Sequence, residues 1–139
     1  MYCIIGCDGA KSFGPIGVGE RGDEITTVTY RHLSAVVSNS PIQDYRVTRE
    51  NTMTHQSAIE TVMKEYPVLP IRFSTIAETE EEIVEKVLKP RYEEFEKLIA
   101  WVSDKKELGL KVYWQEMKAI LNEIVETNEA IKSFKEEIQ

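Results

Sequence analysis

The sequence predicts an α+β fold: a mixed, mostly antiparallel sheet of four to five strands with helices packed mainly on one face. Three features of the 139 residues carry that expectation. Two β-rich runs, Ile25–Tyr30 and Leu33–Ser38, are separated by only Arg31 and His32, the spacing of an antiparallel hairpin. The run of elements contains few β-α-β units, which disfavours a doubly wound parallel sheet. The chain is also below the size at which a second core is usual, so residues 1–139 are expected to form a single domain.

The elements follow in order. Residues 2–5 (Tyr-Cys-Ile-Ile) read as a first strand, and a loop with glycines at 6, 9, 14, 17, 19 and 22 follows it. The piece Gly14-Pro15-Ile16-Gly17-Val18-Gly19 is no phosphate cradle, because no Gly-Lys-Ser/Thr follows and no helix opens at its end. After the hairpin, Thr48 is placed to cap a helix with Glu50 in its first turn. Ile59, Val62, Met63 and Tyr66 keep the spacing of a buried stripe, and Pro67 stops the helix. Residues 68–73 form a short apolar strand that Pro70 confines to an edge or a bulge. Thr79 and Glu82 have capping-box spacing before Ile83, Val84, Val87 and Leu88. Pro90 breaks that helix, and the next carries Tyr92, Phe95, Leu98, Ile99 and Val102. Leu108, Leu110, Val112 and Trp114 alternate with Glu107, Gly109, Lys111 and Tyr113, the pattern of a strand with one inner face. A helix with Met117, Ile120, Leu121, Ile124 and Val125 on one stripe follows, then a second with Ile131, Phe134 and Ile138. The expected order is β-β-β-α-β-α-α-β-α-α.

Composition excludes several classes of function. With 42% hydrophobic and 29% charged residues the chain belongs with ordinary globular domains, and its apolar runs are too short for a bilayer span. Residues 1–6 lack the basic and apolar regions of a secretory signal, so an intracellular location is expected. Lys and Arg number 17 against 24 Asp and Glu, a net charge of −7, and such a surface repels phosphate backbones. Nucleic acid is not an expected partner. Cys3 and Cys7, on one extended strand, would lie about 13 Å apart, too far for a disulfide. They lack the further ligands of a zinc site and read as small buried side chains.

A search for chemistry finds little. His55 lies one turn before Ile59 and reads as packed and hydrogen-bonded; Glu50 and Glu60, five residues to either side, point off its face, so no metal site is expected. Arg72 sits in an apolar run and must reach solvent or an acceptor, with Asp44, Glu50 and Glu78 as possible partners. Glu78, Glu80, Glu81, Glu82 and Glu85 suit a helix N-terminus. No catalytic, cofactor or metal residues are expected. One alternative is a small ferredoxin-like ligand-binding or enzymatic domain with an anion site near Arg72 and His55. The glycine-rich loop with Phe13, Ile16 and Val18, and the last segment with Phe134 and Ile138, are candidate surfaces for an apolar partner; the alternative for the last segment is that it covers the core or forms the seam against a second domain.

Several phrases together resemble the gas vesicle protein F/L family (GvpF/GvpL). They are Leu33-Ser34-Ala35-Val36-Val37-Ser38, then Tyr45 with Thr48-Arg49-Glu50-Asn51 and His55, then Val68-Leu69-Pro70-Ile71-Arg72-Phe73-Ser74-Thr75, and Glu107-Leu108-Gly109-Leu110-Lys111-Val112-Tyr113-Trp114. Serine stands at 74 where the family commonly has glycine, so a different backbone is expected there. Family members usually carry a second α+β domain after the first, and the resemblance implies that this chain matches the N-terminal half without it. It also implies a cytoplasmic, non-enzymatic accessory protein of gas vesicle formation, associated with the gas vesicle. Its partners would be the small hydrophobic shell subunit GvpA and other gas vesicle accessory proteins, with no membrane or nucleic acid. Arg49, His55, Arg72 and Lys111 match motif positions and are expected to be structural.

Overall fold

The computed structural model describes residues 1–19, 21–43, 45–113 and 115–138. The chain divides into two compact units, residues 1–106 and 107–139.

The first unit is built on one five-stranded sheet. Its strands are β1 (Cys3–Gly6), β2 (Ser12–Gly14), β3 (Ile25–Tyr30), β4 (Leu33–Ser38) and β5 (Val68–Pro70), in the spatial order β2-β3-β4-β1-β5. Every pairing is antiparallel. The expected α+β class therefore holds, with no parallel pair among the described residues. The hairpin has the expected ends, with Tyr30 opposite Leu33. Arg31 takes a left-handed φ of 55°, and its guanidinium lies 5.4 Å from the Tyr30 ring centroid and 5.6 Å from that of Tyr92. These cation–π contacts favour a conformation that the residue type would otherwise avoid. Pro70, which has no N–H to donate, sits on edge strand β5 as expected. Strand β2 is an addition: three residues inside the glycine-rich loop pair with β3.

Helix α1 (Arg49–Met63) is capped as expected, with Asn51 N–H donating to Thr48 Oγ1 at 3.2 Å. Its buried face differs from the expected stripe. His55, Ala58 and Val62 are buried, Ile59 and Tyr66 are half-buried, and Met63 is 56% exposed. Helix α2 (Glu80–Ile83) opens on Thr79, whose Oγ1 accepts from Glu82 N–H at 3.1 Å. It runs into a π-helical turn (Val84–Leu88), and after Pro90 comes helix α3 (Tyr92–Val102).

Helices cover both faces of the sheet instead of mainly one. On one face, Ala58 and Val62 of α1 pack with Cys3, Ile5, Ile25 and Val36. On the other, Ile83, Leu88 and Phe95 pack with Ile4, Val28, Leu33, Ala35 and Val37. The cause lies in β1 and β4, whose side chains are buried on both sides along nearly their whole length. Cys3 is fully enclosed, and burial pushes its thiol up to about 12, so the group stays protonated and inert.

The second unit holds helices α4 (Met117–Thr127) and α5 (Glu129–Ile138). Asn128 breaks the helical path in an extended conformation, and its side-chain oxygen accepts from Ile131 N–H at 3.2 Å to cap α5. The strand expected at 107–114 does not form: residues 107–113 have no regular structure, and Trp114 lies outside the described residues. Alternation supplies the faces of a strand, but a strand also needs a neighbour's backbone. Among the described residues no strand pairs with this segment, and Leu108 and Leu110 are each 88% exposed.

Candidate partner-binding surface

His55 is the most enclosed of the four motif positions. At 8% exposure, its ring stacks on Tyr2 with centroids 5.1 Å apart and meets Phe73 edge-on at 5.5 Å. Its Nε2 lies 3.0 Å from the carbonyl oxygen of Ile71. A carbonyl only accepts, so Nε2 carries the proton and Nδ1 of the neutral ring keeps its lone pair. Burial holds the His55 pKa below its ordinary value; the Ile71 bond acts against this, and the Met1 ammonium adds to it.

The sign of the pH effect follows. Unfolded His55 titrates near about 6.5, above its folded value. Between those two values the unfolded chain holds more protons, so this residue's contribution is complete above about pH 6.5 and is lost as pH falls toward the folded value. An NMR titration is expected to place the His55 midpoint below about 6.5, and His55→Gln to flatten the decline in Tm on that acid side. A midpoint at or above the ordinary value contradicts this.

Arg72 does not join His55. Its side chain is exposed, and among the described residues it makes no ion pair. Of its expected partners, Asp44 lies outside the described residues. The Arg72 carbonyl accepts from the Thr75 hydroxyl at 2.8 Å, closing a turn in which Ser74 keeps a left-handed φ of 64°. Serine there adopts a backbone that glycine would take at lower cost. A cavity of about 290 Å³ does open beside His55, lined also by Tyr2, Tyr45, Phe73 and Glu78, but Arg72 is not in its wall. The anion site expected near Arg72 and His55 is not assembled. Arg49 is exposed at the start of α1, and Lys111 is exposed in the irregular segment of the second unit.

The two candidate apolar surfaces differ. In the glycine-rich loop, Val18 is buried, while Phe13 and Ile16 are half-buried against the core beneath α1. Phe13 meets the Tyr66 ring edge-on at 6.3 Å, and Val18 N–H donates to the Tyr2 hydroxyl at 2.9 Å. These side chains are taken up by folding. Phe134 and Ile138, by contrast, are 64% and 69% exposed. They continue an apolar series: Met117, Leu121 and Ile124, from the stripe read in the sequence of α4, and Ile131 on α5 are all exposed as well. Charged residues flank the series, among them Lys118, Glu123, Lys132 and Glu136. Such a stripe can bury apolar surface on a partner while its charged flanks keep it solvated.

Among the described residues, no group of three or more His, Cys, Asp or Glu is placed to hold a metal ion. No helix there is long and apolar enough to cross a membrane.

A family model described as gas vesicle synthesis protein GvpL/GvpF matches residues 1–139. Among curated proteins, the chain is 24% identical over 99 residues to gas vesicle protein F of Dolichospermum flosaquae, covering 70% of this chain and 40% of that protein. It is 27% identical over 120 residues to gas vesicle protein F of Streptomyces sp. (strain CB03234), covering 86% of this chain and 49% of that protein. The chain therefore spans about half the length, or less, of these relatives. No solved structure matches it significantly.

Proposed function

The chain belongs to the gas vesicle synthesis protein GvpL/GvpF family, and on that premise we propose that it is a non-enzymatic accessory protein of gas vesicle formation that binds the small hydrophobic shell subunit, GvpA, during assembly. The supporting observation is the exposed apolar stripe on α4 and α5, from Met117 at 50% to Ile138 at 69% exposure. An apolar subunit must be kept from premature self-association, and a helper does this by offering apolar area of its own at roughly 25 cal/mol per Å² buried. The other gas vesicle accessory proteins are further partners in this reading, and the site of action is the cytoplasm at the growing vesicle.

Co-expression tests it. A tagged form of this chain is expected to retain GvpA on affinity resin. The complex should survive a wash at about 1 M salt, where the Debye length is about 3 Å and surface ion pairs are screened. Absence of GvpA from the eluate, or its release by salt alone, contradicts an apolar contact.

A further inference from the structure

We propose that the cavity in the first unit, walled by Tyr2, Tyr45, His55 and Phe73 and lined also by Glu78 and Glu80, receives the cationic side chain of an arginine or lysine presented by a partner polypeptide. Its volume of about 290 Å³ is at the small end for a ligand pocket, of a size for one side chain. Four aromatic rings line it, and a cation within about 6 Å of a ring face is attracted by the ring's quadrupole. Hydroxyls of Ser38, Ser40, Thr75 and Thr79, able to donate or accept, supply most of the polar lining. His55 lines the cavity with its Nε2 committed to the Ile71 carbonyl oxygen at 3.0 Å. Glu78 and Glu80, both exposed residues, contribute to the lining, and no lysine or arginine does.

One positive group is present, the Met1 ammonium, which donates to the Thr75 carbonyl at 3.0 Å. Burial lowers its pKa, so its opposition to a cation is reduced. The ring walls and the two glutamates together favour a positively charged hydrogen-bond donor over an anion. This site does not depend on α4 and α5 and stands or falls separately from GvpA binding.

The test is an NMR titration of the full chain with four probes: N-acetyl-arginine methylamide, its norleucine and glutamate counterparts, and methylguanidinium. The arginine probe is expected to shift the amides of Ser38, Thr75 and Thr79 saturably, and to bind more tightly than the other three. The double variant Glu78→Gln/Glu80→Gln, altered only at exposed positions, is expected to keep its Tm and to bind the arginine probe about three- to tenfold more weakly. Equal binding of the norleucine probe would reduce the cavity to an apolar slot. Preference for the glutamate probe would assign it to the Met1 ammonium, and equal binding of methylguanidinium would remove the polypeptide source. Any of these results, or no saturable shift, overturns the proposal.

Discussion

Leu88→Ala is expected to destabilise the first unit by about 2–5 kcal/mol, the range for deleting a fully buried leucine. Leu88 has no exposed surface and sits in the π-helical turn, in one buried cluster with Val28, Leu33, Ala35 and Val37. The strands that this turn packs on are β3 and β4, each paired on both edges, so the backbone there cannot collapse into the vacated space. A cavity remains, and its cost adds to the lost transfer energy. Met63→Ala serves as the contrast. The periodicity puts Met63 on the buried stripe of α1, whereas the structure leaves it 56% exposed, so a change within about 0.5 kcal/mol is expected. Urea unfolding monitored by circular dichroism measures both. A small effect of Leu88→Ala would mean that this second helical layer is not packed on the sheet, and the two-faced arrangement would fail with it.

That arrangement also marks where sequence patterns stop being informative. The ends of the β3–β4 hairpin, the Thr48 and Thr79 caps and the edge position of Pro70 depend on local chemistry within a few residues, and all are legible. The burial of β4 on both faces is not. Ser34 and Ser38 alternate with apolar residues and suggest a wet face. Yet Ser34 is fully buried, its hydroxyl donating to the Cys7 carbonyl at 2.9 Å and pairing with Thr29 Oγ1 at 2.7 Å. A satisfied hydroxyl is tolerated inside, so polarity alone does not locate solvent. The segment 107–113 shows the converse. Its alternation is as regular as that of 33–38, but strand formation depends on a partner edge that no local pattern encodes. The candidate sites divide similarly. The apolar series on α4 and α5 is visible in the sequence, but its exposure is not. The cavity beside His55 is assembled by the ends of β1 and β4, the loop after β5 and the face of α1, and no contiguous motif announces it.

Phe134→Glu and Leu121→Glu are each expected to lower retention of GvpA by about 10- to 100-fold in apparent affinity. Full burial of such a side chain is worth about 1.5–3 kcal/mol, and each carboxylate would also have to be desolvated at the contact. Both positions are more than half exposed, so neither change opens a hole in a core, and the Tm of the free chain is expected to stay nearly constant. This combination separates a contact surface from a structural one. Val18→Glu would also reduce retention, but by unfolding the chain, since Val18 is buried and its amide is tied to the Tyr2 hydroxyl. Glu123→Gln supplies the matching control: it lies on α4 but outside the apolar series, and removing its charge is expected to change retention little. If Phe134→Glu and Leu121→Glu bind GvpA as well as the parent chain does, the stripe is not the contact. Shell-subunit binding would then need another apolar surface, and the irregular run around Leu108, Leu110 and Val112, each at least 80% exposed, offers one.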